Sequence, residues 1–511
     1  MNMKKLDLSS LHLPHWRLPL PGPTALTALV AVASAAVLLA GCASPGAPTP
    51  RLAEIPPAAL GLADATSGSA AASDAAPVRW WATLGDEQLA RLVDQALRDQ
   101  PSLAVAQARV QRARALAQAT DAADGPQAQL SAEASRQRYP EHGLFPPPIA
   151  GSVRNTGTVN AGLAWAPDWY GQQAAALASS LDQARAAQAD AAVAANALAT
   201  QVARSYVGLA RLVAQRDVAQ RTLAQREELK DLTHQRVGAG LDTRVELVQA
   251  DSALPDARTQ LEALDEQITL ARHQLAALSG QAPNALDALT PALGQLAVQR
   301  LPGTLGADLL GRRPDVVAAR WRVEAAGQDV KVARTAFYPN INLSAFVGLN
   351  AVGLDQLFEL GSRQFGVTPA LHLPLFDGGR LRAQLGGREA ELNAAIAQYN
   401  GTLLDAVRET SDAISSLQSI ERQRREQADA LAGSQTAHEL ALQRYRAGLG
   451  SYLIVLNTES QWLAQRRAAV DLQARQVDTG IALMKALGGG WIDDTGPATR
   501  TAAAPAPARA Q

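Results

Sequence analysis

The sequence predicts a mainly α-helical fold that carries the strands of a membrane β-barrel. Three observations lead to this class: two helical segments too long for a compact domain, four short segments of alternating polarity, and an internal duplication. Hydrophobic residues make up 47% of the 511 residues, but aromatic residues only 4%. Such an alanine-rich composition suits closely packed helices. The formal net charge of -1 gives no basic surface, which argues against a nucleic acid partner.

The longest helix of the first half is predicted over residues 172–236. Helical periodicity already begins near Leu84 and runs to about Ala122, before the first strands. At about 1.5 Å per residue, the segment 172–236 would be on the order of 100 Å long. Gly238-Ala239-Gly240 predicts a reversal, after which a helix with the apolar spacing of a coiled coil returns to Ser279.

This returning helix contains Pro255. Proline lacks an amide hydrogen, so one helical hydrogen bond is lost there. We expect a kink at this position.

Four segments of the chain alternate with a period of two. They cover about residues 128–138, 156–166, 340–349 and 364–375. Strands of about ten residues with one apolar face are typical of membrane barrels, although hairpins of soluble proteins alternate as well. Four strands cannot close, and a bilayer tolerates no open sheet edge, so the barrel has to be shared between chains. Two chains would give eight strands and a filled interior, whereas three would give twelve and a water-filled bore, which predicts a trimer.

The second half of the chain repeats the first. Arg109-Val110 matches Arg322-Val323, and Leu130-Ser131-Ala132 matches Leu343-Ser344-Ala345 at the same offset. Each unit is predicted to contain a helix, a strand hairpin, a long helix, a glycine turn and a returning helix. The predicted boundaries are 80–281 for the first repeat, 282–304 for a linker, 305–491 for the second repeat and 492–511 for a disordered tail.

The first 41 residues are predicted to be a signal peptide. Basic residues precede an uncharged apolar run at 25–40, and Leu39-Ala40-Gly41-Cys42 follows at once. These last four residues resemble a bacterial lipobox, which implies a diacylglycerol and an N-acyl chain on Cys42. Residues 42–79, rich in Ala, Pro, Ser and Gly, are expected to be a lipidated linker. Ala43 and Ser44 lack the aspartate that commonly retains such lipoproteins in the inner membrane, so outer-membrane delivery is favoured.

No arrangement of residues in the sequence suggests catalysis. The seven histidines are scattered without metal-ligand spacing, and a single cysteine cannot form a cysteine-based zinc site. Gly488-Gly489-Gly490 lacks the Lys-Ser/Thr of a phosphate loop and is expected to end a helix. We therefore predict that the protein is not an enzyme and has no metal or cofactor besides the covalent lipid.

Six motifs occur in a fixed order between Cys42 and Trp491. They are Trp80-Trp81, Ala164-Trp165 through Asp168 to Gly171, Arg312-Arg313-Pro314-Asp315-Val316, Ala336-Phe337-Tyr338-Pro339, Pro374-Leu375-Phe376-Asp377-Gly378-Gly379 and Ala486-Leu487-Gly488-Gly489-Gly490-Trp491. Together they resemble the TolC-like outer membrane factors, specifically the lipoprotein branch that serves multidrug efflux pumps. The resemblance implies a homotrimer with a 12-strand β-barrel in the outer membrane above a long α-helical periplasmic tunnel of twelve helices.

The resemblance also implies a function and partners. The chain would be a passive exit duct for drugs or other small molecules, working with a periplasmic adaptor protein and an inner-membrane pump of the RND type. Similar channels serve type I protein secretion, and the lipobox favours drug efflux over that alternative. A periplasmic adaptor or structural lipoprotein is a further alternative, but adaptors usually carry one helical hairpin flanked by lipoyl-like and β-barrel modules.

The two glycine turns, 237–243 and 446–451, lie at the ends of the long helices that are farthest from the strands. By resemblance they form the periplasmic tip that meets the adaptor. The predicted docking residues are Gly238, Gly240, Leu241, Gly448 and Leu449. Glycine adopts positive φ at little energetic cost, so the glycines among these residues also allow the chain to reverse.

The predicted gate lies just after the second turn. Leu453 and Asn457 are four residues apart, so they share one helix face, and near a threefold axis each would form a ring of three. Similar channels close with a leucine ring and an aspartate ring at these positions. Asn457 replaces the aspartate, which argues against a cation-binding ring, since three amides can hydrogen-bond one another. The resemblance also implies that Tyr445 and Glu246 tie neighbouring helix pairs together, while Leu456 competes with Leu453 for the lumen-facing position.

Overall fold

The structure of the protein, a computed structural model, describes residues 52–60, 77–297 and 311–492. The predicted signal peptide, Cys42 and the C-terminal tail from residue 493 onward lie outside the described residues. So do parts of the two predicted linkers.

The first repeat contains four helices and two strands. They are α1 (Glu87–Asp99), α2 (Pro101–Ala122), β1 (Gln127–Arg138), β2 (Val153–Trp165), α3 (Gln172–Gly238) and α4 (Arg244–Leu278). The single helix expected between Leu84 and Ala122 is two helices, because Gln100 is extended before Pro101, as residues before proline prefer. Helix α4 continues through Pro255 as one helix, so the missing amide donor does not end it.

The second repeat has three helices and two strands among its described residues. They are α5 (Pro314–Thr335), β3 (Asn340–Val352), β4 (Arg363–His372), α6 (Arg380–Arg446) and α7 (Tyr452–Ala486). Its long helix and that of the first repeat both have 67 residues. The two returning helices both have 35 residues. The duplicated unit of helix, hairpin and helix is therefore present in the fold.

The four strands form one antiparallel sheet in the order β1-β2-β3-β4. Strand β2 pairs with β3, for example Trp165 with Leu343, so the sheet joins the two repeats. Strands β1 and β4 are its edges. Within the described residues, no helix combines the length and apolar character of a membrane span.

The register of the sheet separates apolar from polar side chains. Residues paired across neighbouring strands share a face. One row contains Leu130, Ala161, Val347 and Phe365; the row next to it on the other face contains Ser131, Asn160, Gly348 and Gln364. The apolar row is exposed in the protomer, with 75% of Leu130, 62% of Val347 and 85% of Phe365 accessible.

A buried hydrophobic core joins the helices of both repeats, about midway along the long helices α3 and α6 and in the C-terminal parts of α4 and α7. Trp80, which opens the first repeat, packs in it with Tyr206 of α3 and Ile481 of α7. The Tyr206 hydroxyl donates a hydrogen bond of 2.7 Å to Asp86, the N-cap of α1. This core holds the short helix α1 against the long helices.

A second junction is polar. Arg313, only 5% exposed, precedes α5 and donates hydrogen bonds to Asp315, Glu409 of α6 and the carbonyl oxygen of Ala486 in α7. One guanidinium group therefore ties three helices of the second repeat together. Arginine suits this position better than lysine, because the planar guanidinium group holds several N–H donors in a rigid arrangement.

Candidate functional site: the helix tip

The two turns at the tip have the same hydrogen-bond pattern. The Leu241 amide donates to the Arg236 carbonyl oxygen at 2.9 Å, and the Leu449 amide donates to the Arg444 carbonyl oxygen at 2.8 Å. This pattern terminates a helix and requires a residue with positive φ. Gly240, with φ 73°, and Gly448, with φ 77°, supply it. The predicted reversals are thus present, and both depend on a glycine at the corresponding position of each repeat.

The predicted docking residues are accessible in the protomer. Leu241 is 66% exposed and Leu449 is 71% exposed. A Cβ atom added to Gly238, Gly240 or Gly448 would meet no heavy atom within 4 Å. The described chain therefore leaves room for a partner beside both turns.

Tyr445, at the end of α6, connects the second repeat to the first turn. Its side chain is fully buried, and its hydroxyl donates a hydrogen bond of 2.6 Å to Asp242 Oδ2. The same hydroxyl lies 3.1 Å from Thr233 Oγ1 of α3. Arg236 donates to both oxygens of Asp242, at 2.8 and 3.1 Å, and its guanidinium carbon lies 4.6 Å from the centre of the Tyr445 ring. We call these four residues the tip network.

The tip network stabilises the charged form of Asp242 and the neutral form of Tyr445. The hydrogen bond from Arg236 lowers the pKa of Asp242 below its usual value, and the bond from Tyr445 adds to this effect. Burial raises the pKa of Tyr445, and so does its hydrogen bond to Asp242. The carboxylate is therefore charged and the phenol neutral at physiological pH, which is the combination that a phenol donating to a carboxylate requires.

Glu246, expected with Tyr445 to tie neighbouring helix pairs together, begins its own helix in the protomer. Its carboxylate accepts a hydrogen bond of 3.0 Å from the Thr243 amide and another from the Thr243 hydroxyl. Together with the bond from the Val245 amide to Thr243, this is a capping box that begins α4. The carboxylate beside Tyr445 within the protomer belongs to Asp242, and the role of Glu246 between neighbouring helix pairs stays a prediction.

Sequence analysis missed Asp242, Arg236 and Thr233. A signal was present in the duplication, because the repeats differ at the positions that meet. Asp242 corresponds to Gly450 and Tyr445 corresponds to Val237 when the two glycine turns are aligned. Each repeat thus contributes one residue that the other lacks.

The structure distinguishes the two leucines proposed for the gate. Leu453 is 53% exposed, and Asn457 is exposed one helical turn further on. Leu456 instead packs against a buried cluster that includes Tyr445 and Val455. Leu453 and Asn457 are therefore accessible in the protomer, as is Ile454, which is 53% exposed.

A buried ion pair lies next to this cluster. Glu459 of α7 is 2% exposed and accepts a hydrogen bond of 3.3 Å from Arg226 of α3. Arg226 also donates to the Ala253 carbonyl oxygen of α4 at 3.1 Å. The pair connects the first helical hairpin to the helix that carries Leu453. In the part of the chain that the structure describes, no group of His, Cys, Asp and Glu residues could hold a metal ion.

Comparison with known proteins agrees with this architecture. The profile of the family described as "Outer membrane efflux protein" matches residues 92–281 and 305–489. The multidrug resistance outer membrane protein MdtQ of Escherichia coli O6:H1 is 33% identical over 463 residues, which cover 89% of this chain and 96% of MdtQ. The fusaric acid resistance protein FusA of Burkholderia cepacia is 36% identical over 376 residues, 71% of this chain and 69% of FusA.

Solved structures show the same fold. The outer membrane protein VceC of Vibrio cholerae superimposes with a TM-score of 0.77 at 34% identity, over 81% of this chain and 99% of VceC. The outer-membrane channel OprN gives a TM-score of 0.77 at 28% identity, over 88% of this chain and 99% of OprN.

Proposed function

Because this chain belongs to the outer membrane efflux protein family and is an outer-membrane efflux channel, we propose that it forms a homotrimer that is the exit duct of a tripartite pump. The observation that carries the proposal is the four-stranded sheet, whose apolar face is exposed and whose edges β1 and β4 are unpaired in the protomer. Three copies would pair β4 of one chain with β1 of the next and give twelve strands around a water-filled bore.

The dimensions of the sheet support a position in the membrane. On β3, the apolar residues run from Ile341 to Leu349, a stretch of nine residues. A tilted transmembrane β-strand needs about 9–11 residues to cross the hydrocarbon core. The polar face of the sheet would line the bore. On this face Gln364 of β4 donates a hydrogen bond to Asn160 of β2, with Gly348 of β3 between them.

Exposed aromatic residues mark the junction between sheet and helices. Trp165, Trp169 and Tyr170 are 41%, 63% and 50% exposed, and Tyr170 stacks on Tyr338 with ring centres 5.0 Å apart. Tryptophan and tyrosine concentrate at membrane–water interfaces. We place the periplasmic face of the outer membrane at this junction, with the helical body in the periplasm and a diacylglycerol and an N-acyl chain on Cys42 as the lipid anchor.

The tip network is proposed to hold the periplasmic end closed. It joins the turn of the first helical hairpin to the last turn of α6, so the two hairpins cannot separate without breaking the bond between Tyr445 and Asp242. Rings of Leu453 and Asn457 would then narrow the bore in the trimer. The turns around Gly240 and Gly448 would meet the adaptor, whose docking would shift the population toward the open tip.

The substrate class is proposed from the relatives. MdtQ is a multidrug resistance protein and FusA a fusaric acid resistance protein, so small organic molecules are the proposed cargo. An inner-membrane pump and a periplasmic adaptor would supply them. The competing proposal, export of proteins by a type I system, requires a different inner-membrane partner.

The test is chemical crosslinking in cells followed by purification of the channel. An RND-type pump and its adaptor among the crosslinked partners support the proposal, whereas a type I exporter overturns it in favour of protein secretion. Extraction with the outer membrane as a trimer that dissociates on heating supports the channel assembly. A monomer in the soluble periplasmic fraction would support an adaptor or structural lipoprotein instead.

A further inference from the structure

The first described segment of the chain, residues 52–60, is held by the second repeat. The Ile55 amide donates to Asn400 Oδ1 at 2.9 Å, and Asn400 Nδ2 donates to the Ala53 carbonyl oxygen at 3.0 Å. One side-chain amide therefore satisfies a donor and an acceptor of the same backbone stretch, as its two ends allow. These partners are 345 and 347 residues apart in sequence.

Apolar contacts hold the same segment. Ile55 and Leu60 pack against a buried cluster between α5 and α6, which contains Val316, Ala319, Val323, Ile396, Tyr399, Leu403 and Ala406. The segment is therefore docked by two hydrogen bonds and two apolar side chains. We call Asn400 with this cluster the clamp.

We propose that the clamp sets the length of the lipid tether, so that the chain from Cys42 to Ala53 is only just long enough to reach from the membrane face to Asn400. The proposal rests on the lipidation of Cys42 proposed above. Its physical basis is a comparison of two distances, one along the helix and one along the linker.

The distance along the helix is about 30 Å. Asn400 lies twenty residues after Arg380, where α6 begins next to the sheet, and a helix rises about 1.5 Å per residue. The exposed aromatic residues at the sheet–helix junction place the membrane face near the start of α6. The lipid on Cys42 has to reach this level from the clamp.

The linker is hardly longer than that distance. Ten residues separate Cys42 from Ala53, and they include Pro45, Pro48 and Pro50. At about 3.1 Å for each Cα–Cα step, an extended proline-rich chain of this length would span about 34 Å. Only a few ångströms of slack remain between the anchor and the clamp.

More residues follow the clamp than the distance to the helical core requires. Tyr206, which packs with Trp80 in the helical core, lies 34 residues after Gln172, about 51 Å from the start of α3. Trp80 therefore lies roughly 20 Å below the clamp. The twenty residues from Leu60 to Trp80 can span about three times that distance. Without the clamp, the linker from Cys42 would reach the helical core with a large excess of chain, so the clamp is what makes the tether short.

The experiment shortens the tether above the clamp in the full-length, membrane-inserted protein. Deletion of residues 47–50 leaves six residues between the anchor and Ala53, whose seven Cα–Cα steps span about 25 Å at most. In the lipidated protein we expect the clamp to open and hydrogen exchange at the Ile55 amide to rise at least tenfold, as for a hydrogen bond that has become exposed. The same deletion in Cys42→Ser, secreted with a cleavable signal, should leave Ile55 protected. Deletion of residues 66–69, below the clamp, should leave it protected in both backgrounds.

Asn400→Ala provides a second, independent measurement. It should raise Ile55 exchange by itself, while the control Gln398→Ala, on an exposed neighbouring position of α6, should not. If the deletion of 47–50 impairs insertion, adding Asn400→Ala should restore it, because the tether then extends to Trp80.

Two outcomes overturn different proposals. The tether proposal is wrong if the Ile55 amide stays protected from hydrogen exchange in the lipidated variant that lacks residues 47–50. It is also wrong if that variant inserts poorly and Asn400→Ala does not restore insertion. Labelling with palmitate reports lipidation separately. A wild-type protein that is not labelled would overturn the lipid anchor at Cys42, independently of hydrogen exchange at the Ile55 amide.

Discussion

The Tyr445 hydroxyl and the Asp242 carboxylate, 203 residues apart in sequence, form a hydrogen bond of 2.6 Å at the tip of the protein. Asp242 lies in the turn between α3 and α4, and Tyr445 in the last turn of α6. The bond therefore connects the helical hairpins of the two repeats at the end farthest from the sheet. Arg236 donates hydrogen bonds to both oxygens of the same carboxylate.

Breaking this bond should favour an open tip. Tyr445→Phe removes the donor and keeps the buried ring, and the loss of a hydrogen bond to a charged group costs about 1.5–3 kcal/mol. We expect single-channel conductance in planar bilayers to rise, with roughly tenfold more time in the open state. Tyr399→Phe, a buried tyrosine in the cluster beside Asn400, is the matched control. Unchanged conductance in Tyr445→Phe with normal trimer would argue against a closing role.

The two leucines of α7 should behave differently. Leu453→Ser changes an exposed side chain, so we expect higher conductance without loss of stability. Leu456→Ser removes a packed side chain and should lower the free energy of unfolding by about 2 kcal/mol. Conductance and thermal unfolding in detergent separate these effects. A rise in conductance for Leu456→Ser only would mean that the wrong residue has been assigned to the lumen.

Asn457 offers a test of the same helix face. Asn457→Asp would place three carboxylates in a ring if the residue lines the bore of a trimer. We expect block of the conductance by divalent cations in this variant and none in the wild type. Asn350→Asp, on the polar face of the sheet, is a control for a charge placed elsewhere along the duct. Absence of a new block would show that Asn457 faces away from the bore.

The tip network should respond to pH only in acid. The pKa of Asp242 is lowered in the folded protein by its bond from Arg236, so its contribution to stability is present above the usual value of 3.8. It is lost as pH falls through the lower, folded-state pKa. We expect conductance of the wild type to be constant from pH 7 to about pH 5 and to increase only in stronger acid. Asp242→Asn should abolish that increase; if it does not, another group controls the opening.

The glycine turns can be tested for adaptor docking. Gly240→Asp with Gly448→Asp adds charge at the exposed tip, and we predict lower drug resistance at an unchanged amount of trimer. Gly240→Asn with Gly448→Asn is the matched control, because asparagine tolerates positive φ and carries no charge. Resistance equal to wild type in the aspartate variant would count against docking at these turns.

Elements that depend on local pattern could be predicted from the sequence. Alternation with a period of two predicted the four strands, and the long helix predicted over residues 172–236 is α3. Gly240 and Gly448 marked the reversals, because few other residues adopt positive φ. These features depend on neighbours within a few residues, so a single sequence contains the information.

Which distant side chains meet depends on the tertiary structure. Periodicity indicates the face of a helix on which a residue lies, but not the residue opposite, and so the hydrogen bond between Tyr445 and Asp242 was not predicted. The hydrogen bonds of Asn400 to the segment around Ile55 had no local signal either. The exposed apolar face of the sheet likewise depends on the register between strands of both repeats, which brings Leu130 and Phe365 into one row. Such contacts depend on how whole helices and strands pack, and a local pattern does not specify that packing.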